Sequence, residues 1–568
     1  MVEEVDPTPE AVMPERQPER DQAPQLPADT TGAYVRNTAL MTVGTTLSRL
    51  TGYVRIAAQT AALGVTVGAL GDVYTRANTT PNIVYELILG GILTSVFVPV
   101  FVDHQRRHGR EGAFDLGRRV LTLALVMLAA VAAVGIVFAP QIMRLYLVAS
   151  DAPDRAAQID LGVFLLRWFM PQVVFYGIAA IAGGLLNAER RFGPPMFVPI
   201  LNNLVVIATF AAYATIRADG SSAPSVVGIT GFEKTLLGAG TTLGVVAMTV
   251  ALWPSLRRTG FRWRLAGGWG HPGIRRIVRL SGWVLVYVAA NQAAYLAINV
   301  LAGGIGVARF QIYATAFIIF LLPHSIFAVS IFTALLPAMA DRWSGGDLVG
   351  VRDRFSLGLR DTVVVIVPAA FAFLVLAEPI VSLLLEHGQA NLEDARLIAR
   401  TLQGFAVGLP FFSAFQLITR TFYATQDSRT PAFVNVGAAI VTVAVDVVLV
   451  RAIGWDVPGL ALGHAVSYVF ATVVGLVVLR TKISSIDGAR IWRTIARAVP
   501  AAAATALAAW LVATGSASLV DGASVLGRLV QVGLAVVAGV GVYLAAALML
   551  GIEEVDDVMS AVRRRFSG

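Results

Sequence analysis

The chain contains no cysteine in 568 residues, so disulfides, thiolate metal centres and cysteine nucleophiles are excluded. Charge is also scarce. Asp, Glu, Lys and Arg together make up 14% of the residues and hydrophobic side chains 56%, whereas soluble domains carry roughly a quarter charged residues. A chain this short of charge cannot clothe a core in a hydrated surface, and it reads as a multi-spanning membrane protein. Catalytic signatures are missing as well: no metalloprotease, kinase or nucleophile-triad motif is present, so neither an enzyme active site nor a metal site is expected. Gly238-Ala239-Gly240-Thr241-Thr242-Leu243-Gly244 imitates a nucleotide-binding loop, but it neither follows a strand nor ends in Gly-Lys-Ser/Thr. Close packing of small residues between helices is the expectation there. The net charge of +8 does not point to nucleic acid, because the basic residues sit in short loops between apolar runs, where they encode orientation.

Apolar runs long enough for roughly 20 residues of membrane helix fall near 37–64, 70–102, 115–148, 159–187, 196–217, 232–255, 277–303, 308–340, 360–386, 395–424, 431–452, 459–480, 494–514 and 525–551. The expected fold is therefore all-α and integral to the membrane, with about fourteen transmembrane helices. Every second loop is basic. Arg106, Arg107, Arg110, Arg118 and Arg119 open the series, the Arg257 to Arg279 connection is its richest member, and Arg420 and Arg429 are counted with one of the later loops. An asymmetry of this kind places both termini in the cytoplasm. Residues 1–33, rich in Pro, Glu, Asp and Gln, read as a disordered cytoplasmic tail. Residues 552–568, ending in Arg563-Arg564-Arg565, read as a basic cytoplasmic tail suited to the bilayer's anionic headgroups.

A repeat organises the middle. Asn187-Ala188-Glu189-Arg190-Arg191-Phe192-Gly193-Pro194-Pro195-Met196-Phe197-Val198 aligns without gaps on Tyr423-Ala424-Thr425-Gln426-Asp427-Ser428-Arg429-Thr430-Pro431-Ala432-Phe433-Val434. Phe97-Val98-Pro99 with Asp103 and Leu335-Leu336-Pro337 with Asp341 repeat at a similar spacing. Duplication of a six-helix unit follows, and because six is even the copies run parallel through the membrane. The expected organisation is a six-helix lobe over 34–260, a second over 261–485, a central cavity between them, and two additional helices over 486–551.

The first run carries the chemistry. Ser48-Arg49-Leu50-Thr51-Gly52-Tyr53-Val54-Arg55 puts two arginines where hydrocarbon would surround them. Each costs roughly 2.5 to 3.5 kcal/mol near a bilayer centre and cannot shed its proton. A water-filled, anion-attracting cavity explains them better than contact with lipid. Six residues apart on an ideal helix, they diverge by about 120°, so a bend near Gly52 is required for both to reach one ligand.

With these motifs in place the chain resembles the MurJ/MviN family of lipid II flippases, within the multidrug/oligosaccharidyl-lipid/polysaccharide exporter superfamily. The resemblance rests on Ser48-Arg49 with Gly52 and Arg55; Asp72 with Pro81-Asn82; Phe97-Val98-Pro99; Leu186-Asn187 with Arg191-Phe192, Pro195 and Pro199; and Arg420 with Phe422-Tyr423-Ala424, Asp427 and Thr430-Pro431. It implies a bacterial cytoplasmic membrane protein that moves an undecaprenyl-diphosphate-linked disaccharide pentapeptide, lipid II, from the inner to the outer leaflet, with Arg49 and Arg55 as diphosphate ligands. Bidentate guanidinium contacts suit a diphosphate. Family members often carry further basic residues where this chain has Thr79, Tyr85 and Glu86, and an acidic-basic pair in helix seven where it has Asn299. Arg76 is a candidate substitute, although its i, i+4 spacing from Asp72 also fits an internal ion pair.

Among the remaining intramembrane groups, Asn82 and Glu86 are candidates for the cavity wall, Glu86 as a charge relay. Asp446, isolated in Val443-Ala444-Val445-Asp446-Val447-Val448, either binds a coupling cation, takes up a proton, or bonds a neighbouring helix. No cofactor is expected; Na+, H+ or the membrane potential supplies any coupling. His104 and His108 read as a solvated face. Two rival functions are a cation-coupled drug or oligosaccharide exporter of the same fold and a membrane scaffold for cell-wall synthesis proteins.

Overall fold

The computed structural model describes residues 28–65, 69–87, 97–189, 191–217, 225–268, 270–386, 389, 391–516 and 524–556. Among these, every regular element is helical. The order is α1 (Ala28–Leu63), α2 (Leu70–Tyr85), α3 (Val98–Val137), α4 (Ala139–Tyr146), α5 (Arg155–Phe169), α6 (Gln172–Ala188), α7 (Gly193–Arg217), α8 (Gly231–Arg257), α9 (Pro272–Ile305), α10 (Arg309–Pro323), α11 (Val329–Ser344), α12 (Leu348–Leu385), α13 (Leu392–Ala424), α14 (Arg429–Val447), α15 (Val457–Lys482), α16 (Gly488–Ser516) and α17 (Val525–Met549).

Twelve helical spans among the described residues are long and apolar enough to cross a membrane. The first two apolar runs are helical but fall outside that set. Arg49, Arg55 and their hydroxyl and glycine neighbours dilute α1, and the described part of α2 is only 16 residues long. Gly109, at φ 72°, breaks α3. That break is the turn between the second and third runs. The disordered tail expected over 1–33 needs correction at its end: residues 28–33 are the first turns of α1, and residues 1–27 lie outside the described set. Of the basic tail, residues 557–568 likewise lie outside it.

Two apolar cores divide the chain. One gathers side chains from α2 through α8, with Ile274 and Ile277 from the start of α9. The other gathers α9 through α15, with Ile56 and Val65 reaching in from the end of α1. We call the two bodies the N-terminal and C-terminal lobes. Helices α16 and α17 lie against α12 through Val363, Val364 and Val367, which meet Ala498, Ala501 and Ala502. An ion pair between Arg360 and Glu554 closes the same seam.

Lipid-soluble helices gain nothing from hiding apolar surface, so they associate where small residues let backbones approach. The glycine-rich stretch of α8 does this, with Gly238 against Trp168, Gly240 against Thr209 and Gly244 against Asn202. It is a packing surface and not a phosphate loop. In the C-terminal lobe Gly404 and Gly408 of α13 meet α15 in the same way. A Cβ at Gly408 would stand 2.7 Å from the Cα of Ala465, and one at Gly404 would stand 3.0 Å from the carbonyl of Pro458. Backbone cannot move aside as a side chain can. Gly408→Val is therefore expected to cost about 1–3 kcal/mol through overpacking, read as a lowered unfolding temperature in detergent. Gly231→Val, at a position where an added Cβ meets nothing within 4 Å, is the control that should leave it unmoved.

Candidate functional site

A cavity of about 510 Å³ lies between the lobes. The N-terminal lobe contributes Arg55, Ile56 and Gln59 from α1 and Thr75, Asn78, Asn82 and Glu86 from α2 and its end. The C-terminal lobe contributes neutral side chains from α9, α10, α13, α14 and α15.

Helix α1 runs through Gly52 without a break. The bend required for both arginines to share one ligand is absent, and the consequence follows from helix geometry. Arg55 is on the cavity wall and Arg49 is not. Arg49 stands about 9 Å nearer the start of α1 and is exposed. It is close enough to Tyr53 and to His324 of the opposite lobe to act on both electrostatically. Gly52 serves packing: Asn203 of α7 approaches it, donating from Nδ2 to the Ser48 carbonyl at 3.1 Å and to Thr51 Oγ1 at 3.0 Å. Ser48 and Gly52 thus sit at the α1–α7 seam, away from the cavity where they were expected.

Neither Arg49 nor Arg55 hydrogen-bonds or ion-pairs with any described residue. Glu86 shares the wall with Arg55 and is likewise unpaired among the described residues. Asn82, also on the wall, donates from Nδ2 to the Asn78 carbonyl at 3.1 Å.

Asp72 and Arg76 differ in kind. Their ion pair spans 2.7 Å with 0% and 2% of the side chains exposed. Arg76 also donates to the carbonyls of Tyr146 (3.3 Å) and Asn299 (2.8 Å) and to Asn299 Oδ1, and it lies over the Phe310 ring. Asp72 Oδ1 accepts from the backbone amide of Gln311 at 2.9 Å, and Gln311 Nε2 donates to the Gly64 carbonyl at 3.1 Å. Asn299 and Gln311 belong to α9 and α10. The pair is therefore a tie between lobes at the end of the bundle where α1 ends and α2 begins. As a substitute cavity cation Arg76 is ruled out by its position, since every direction around it is occupied by protein. The internal-pair reading holds.

Arg420 is the residue that sequence reasoning passed over. Four residues before the end of α13, it was counted with a loop, yet it lies inside the helix with its Nε buried and without a hydrogen-bond partner among the described residues. It lies over the Phe332 ring and acts on His324 together with Arg49. Its signal in sequence was the helical register of an apolar run continuing to Ala424. His324 itself bonds Ser413 at 3.0 Å. Arg167 and Arg400 are exposed on the outside of the bundle.

Asp446 of α14 is completely buried, and neither carboxylate oxygen has a partner among the described residues. Gly463 of α15 packs directly on its Oδ1. His104 and His108 stack at 4.2 Å, with His271 at the start of α9 5.5 Å from His104. No group of three or more His, Asp or Glu among the described residues is arranged to hold a metal ion.

Two helical lobes around a central cavity, tied at one end, define a transporter of the alternating-access class. Solved structures agree on the fold. One, described as "Lipid II flippase MurJ, inward closed conformation", superposes with a TM-score of 0.70 at 17% identity, covering 90% of this chain and 98% of that one. An inward-facing multidrug resistance MATE family transporter of the MOP superfamily superposes at 0.61 and 13% identity, covering 77% and 95%. The family model described as "Lipid II flippase MurJ" matches residues 60–531, and the chain belongs to that family. "Lipid II flippase MurJ" of Burkholderia cenocepacia is 26% identical over 428 residues, 73% of this chain and 78% of its own length. "Probable lipid II flippase MurJ" of Bdellovibrio bacteriovorus is 26% identical over 538 residues, 92% and 96% of the two chains.

Removing one member of a buried ion pair costs about 3–5 kcal/mol. Arg76→Ala should therefore destabilise the closed end specifically. In a Thr315→Cys background, which carries the only thiol in the molecule, it should speed labelling of the cavity by an impermeant reagent added on the side where α1 ends. An unchanged labelling rate from that side would show that the tie does not close the cavity.

Proposed function

We propose that the chain moves a polyprenyl-diphosphate-linked head group, that of lipid II, from the inner to the outer leaflet of a bacterial cytoplasmic membrane by alternating access. One observation carries this reading. Arg55 is a permanent cation on the wall of a cavity between two lobes, with no acidic partner within 4.0 Å among the described residues. An uncompensated guanidinium held inside a membrane protein is a site for a visiting anion. Family membership supplies the anion's identity.

The steps follow from the geometry. With the cavity accessible from the cytoplasm, Arg49 near its rim attracts the diphosphate and Arg55 receives it, while the prenyl chain stays in the bilayer. Arg420 of the C-terminal lobe lies, like Arg49, close enough to His324 to act on it electrostatically. With the basic loops read as cytoplasmic, both termini and the turn at Gly109 within α3 face the cytoplasm, and the Asp72–Arg76 tie then lies on the outer side. Outward release requires that tie to part. Asp446, buried and without a partner among the described residues, is the group through which a cation or proton would bias the lobes.

Charge-assisted hydrogen bonds contribute about 1.5–3 kcal/mol. Arg55→Ala is expected to weaken binding of a bare polyprenyl diphosphate by roughly 10- to 100-fold, measured with the full chain in nanodiscs. Arg49→Ala should have a smaller effect, since it is off the wall. Equal, full-strength binding by Arg55→Ala would remove the basis of the assignment.

Asp446→Asn breaks no ion pair and should leave the unfolding temperature unchanged or raised. Transport in vesicles should then lose its dependence on an imposed Na+ or proton gradient. Gradient dependence that survives the substitution would return Asp446 to a purely structural role.

A further inference from the structure

The two halves of the cavity are chemically unlike. Among the described lining residues the only formally charged side chains are Arg55 and Glu86, both from the N-terminal lobe. Primary amides stand on both sides, Gln59, Asn78 and Asn82 on the N-terminal one, but only the facing wall carries them without a formal charge beside them: Asn291 and Gln292 on α9 and Gln416 on α13, backed by the buried Asn435 of α14. We propose that this amide wall is a carbohydrate subsite that holds the N-acetylated sugars of the head group while Arg55 holds the diphosphate. The proposal rests on the reading of the cavity given above and divides the head group between the lobes.

The amides are organised, not scattered. Asn435 Nδ2 donates to the Tyr287 carbonyl at 2.9 Å and to Asn291 Oδ1 at 3.0 Å, which pins both side chains. Asn435 is 1% exposed, so its hold on Asn291 is shielded from water. Asn291 and Gln416 flank the Tyr287 hydroxyl. Gln292 is different. It makes no hydrogen bond within the described protein, and both its donor and its acceptor remain for a ligand.

A primary amide offers a donor pair and an acceptor on one planar group, which matches the hydroxyls and acetamido groups of amino sugars. Those groups are neutral, as this wall is. The peptide part of the head group carries carboxylates, and a wall without a cation would leave them unpaired, which is costly out of water. The diphosphate is excluded from it for the same reason. The same wall carries a half-buried aromatic ring, Phe317, backed by the fully buried Tyr313, which lies parallel to it within 8°.

Selectivity for hydroxyl-bearing ligands is the expected consequence, because a site built to hydrogen-bond a ligand loses heavily when those partners are missing. The test compares two probes on the full chain in nanodiscs: a polyprenyl diphosphate bearing the disaccharide and the bare polyprenyl diphosphate. The unsubstituted protein should bind the sugar-bearing form at least roughly 10-fold more tightly. Gln292→Leu should bring that ratio down to about 3 or less while leaving the bare lipid's affinity unchanged. Gln416→Leu provides the same comparison should Gln292→Leu not fold. A protein that never distinguishes the two probes, or a Gln292→Leu variant that loses both equally, would overturn the subsite. Failure of the underlying reading looks different: the bare lipid would then not bind, or would bind regardless of Arg55.

Discussion

A guanidinium that cannot be neutralised has two ways to exist inside a membrane, and this chain uses both within 21 residues. Arg76 is enclosed: a carboxylate, two backbone carbonyls, a side-chain amide and an aromatic face surround it. Arg55 is left open, on the wall of a cavity and without an acidic partner among the described residues. The first arrangement satisfies the charge from within and fastens one lobe to the other. The second leaves it to be satisfied from outside. Fold and proposed function separate along this line: Arg76 is structural because protein closes round it, and Arg55 is the proposed binding group because protein does not.

The rest of the fold lets these two sites work against each other. Small residues bring the helices of each lobe close enough that each lobe moves as one body, as Gly404 and Gly408 do for α13 and α15. Between the lobes the polar contacts are few: the hydrogen bond from Tyr53 to the Ile318 carbonyl at 3.3 Å and the Asp72–Arg76 cluster, beside the apolar reach of Ile56 and Val65 into the C-terminal core. Rigid bodies joined by a few discrete polar links favour two packed states over continuous deformation.

The fold was legible in sequence because apolar run length and loop charge are properties of composition, which no tertiary contact alters. Asp72 and Arg76 were legible as a pair because i, i+4 spacing is local. What it could not show was that their partners are Asn299 and Gln311, more than 200 residues away. The site was legible in part. The sequence marks Arg49 and Arg55 alike as misplaced charges, and only the unbroken helix separates one on the wall from one near the rim. Arg420 escaped because a basic residue near a helix end carries the same signature whether it snorkels to water or turns inward. The amide wall escaped for a related reason: Asn291, Gln416 and Asn435 lie on three helices, and neutral amides within apolar runs carry no signal of their own.

Glu86 on the same wall as Arg55 looks at first unhelpful to an anion site. Net charge suggests otherwise. A diphosphate carries at least two negative charges, more than the single guanidinium on the wall offsets, so the loaded cavity stays negative. Moving negative charge from the inner to the outer face of a membrane that is negative inside is downhill by about 2.3 kcal/mol per charge per 100 mV. If arginines fully neutralised the ligand, the loaded step would lose that drive, and the same field would instead draw the positively charged empty carrier back to its inward-facing state. Cavity charge therefore sets which half of the cycle the membrane potential acts on, and a cavity with few cations, as where this chain has Thr79 and Tyr85, shifts that action toward the loaded step.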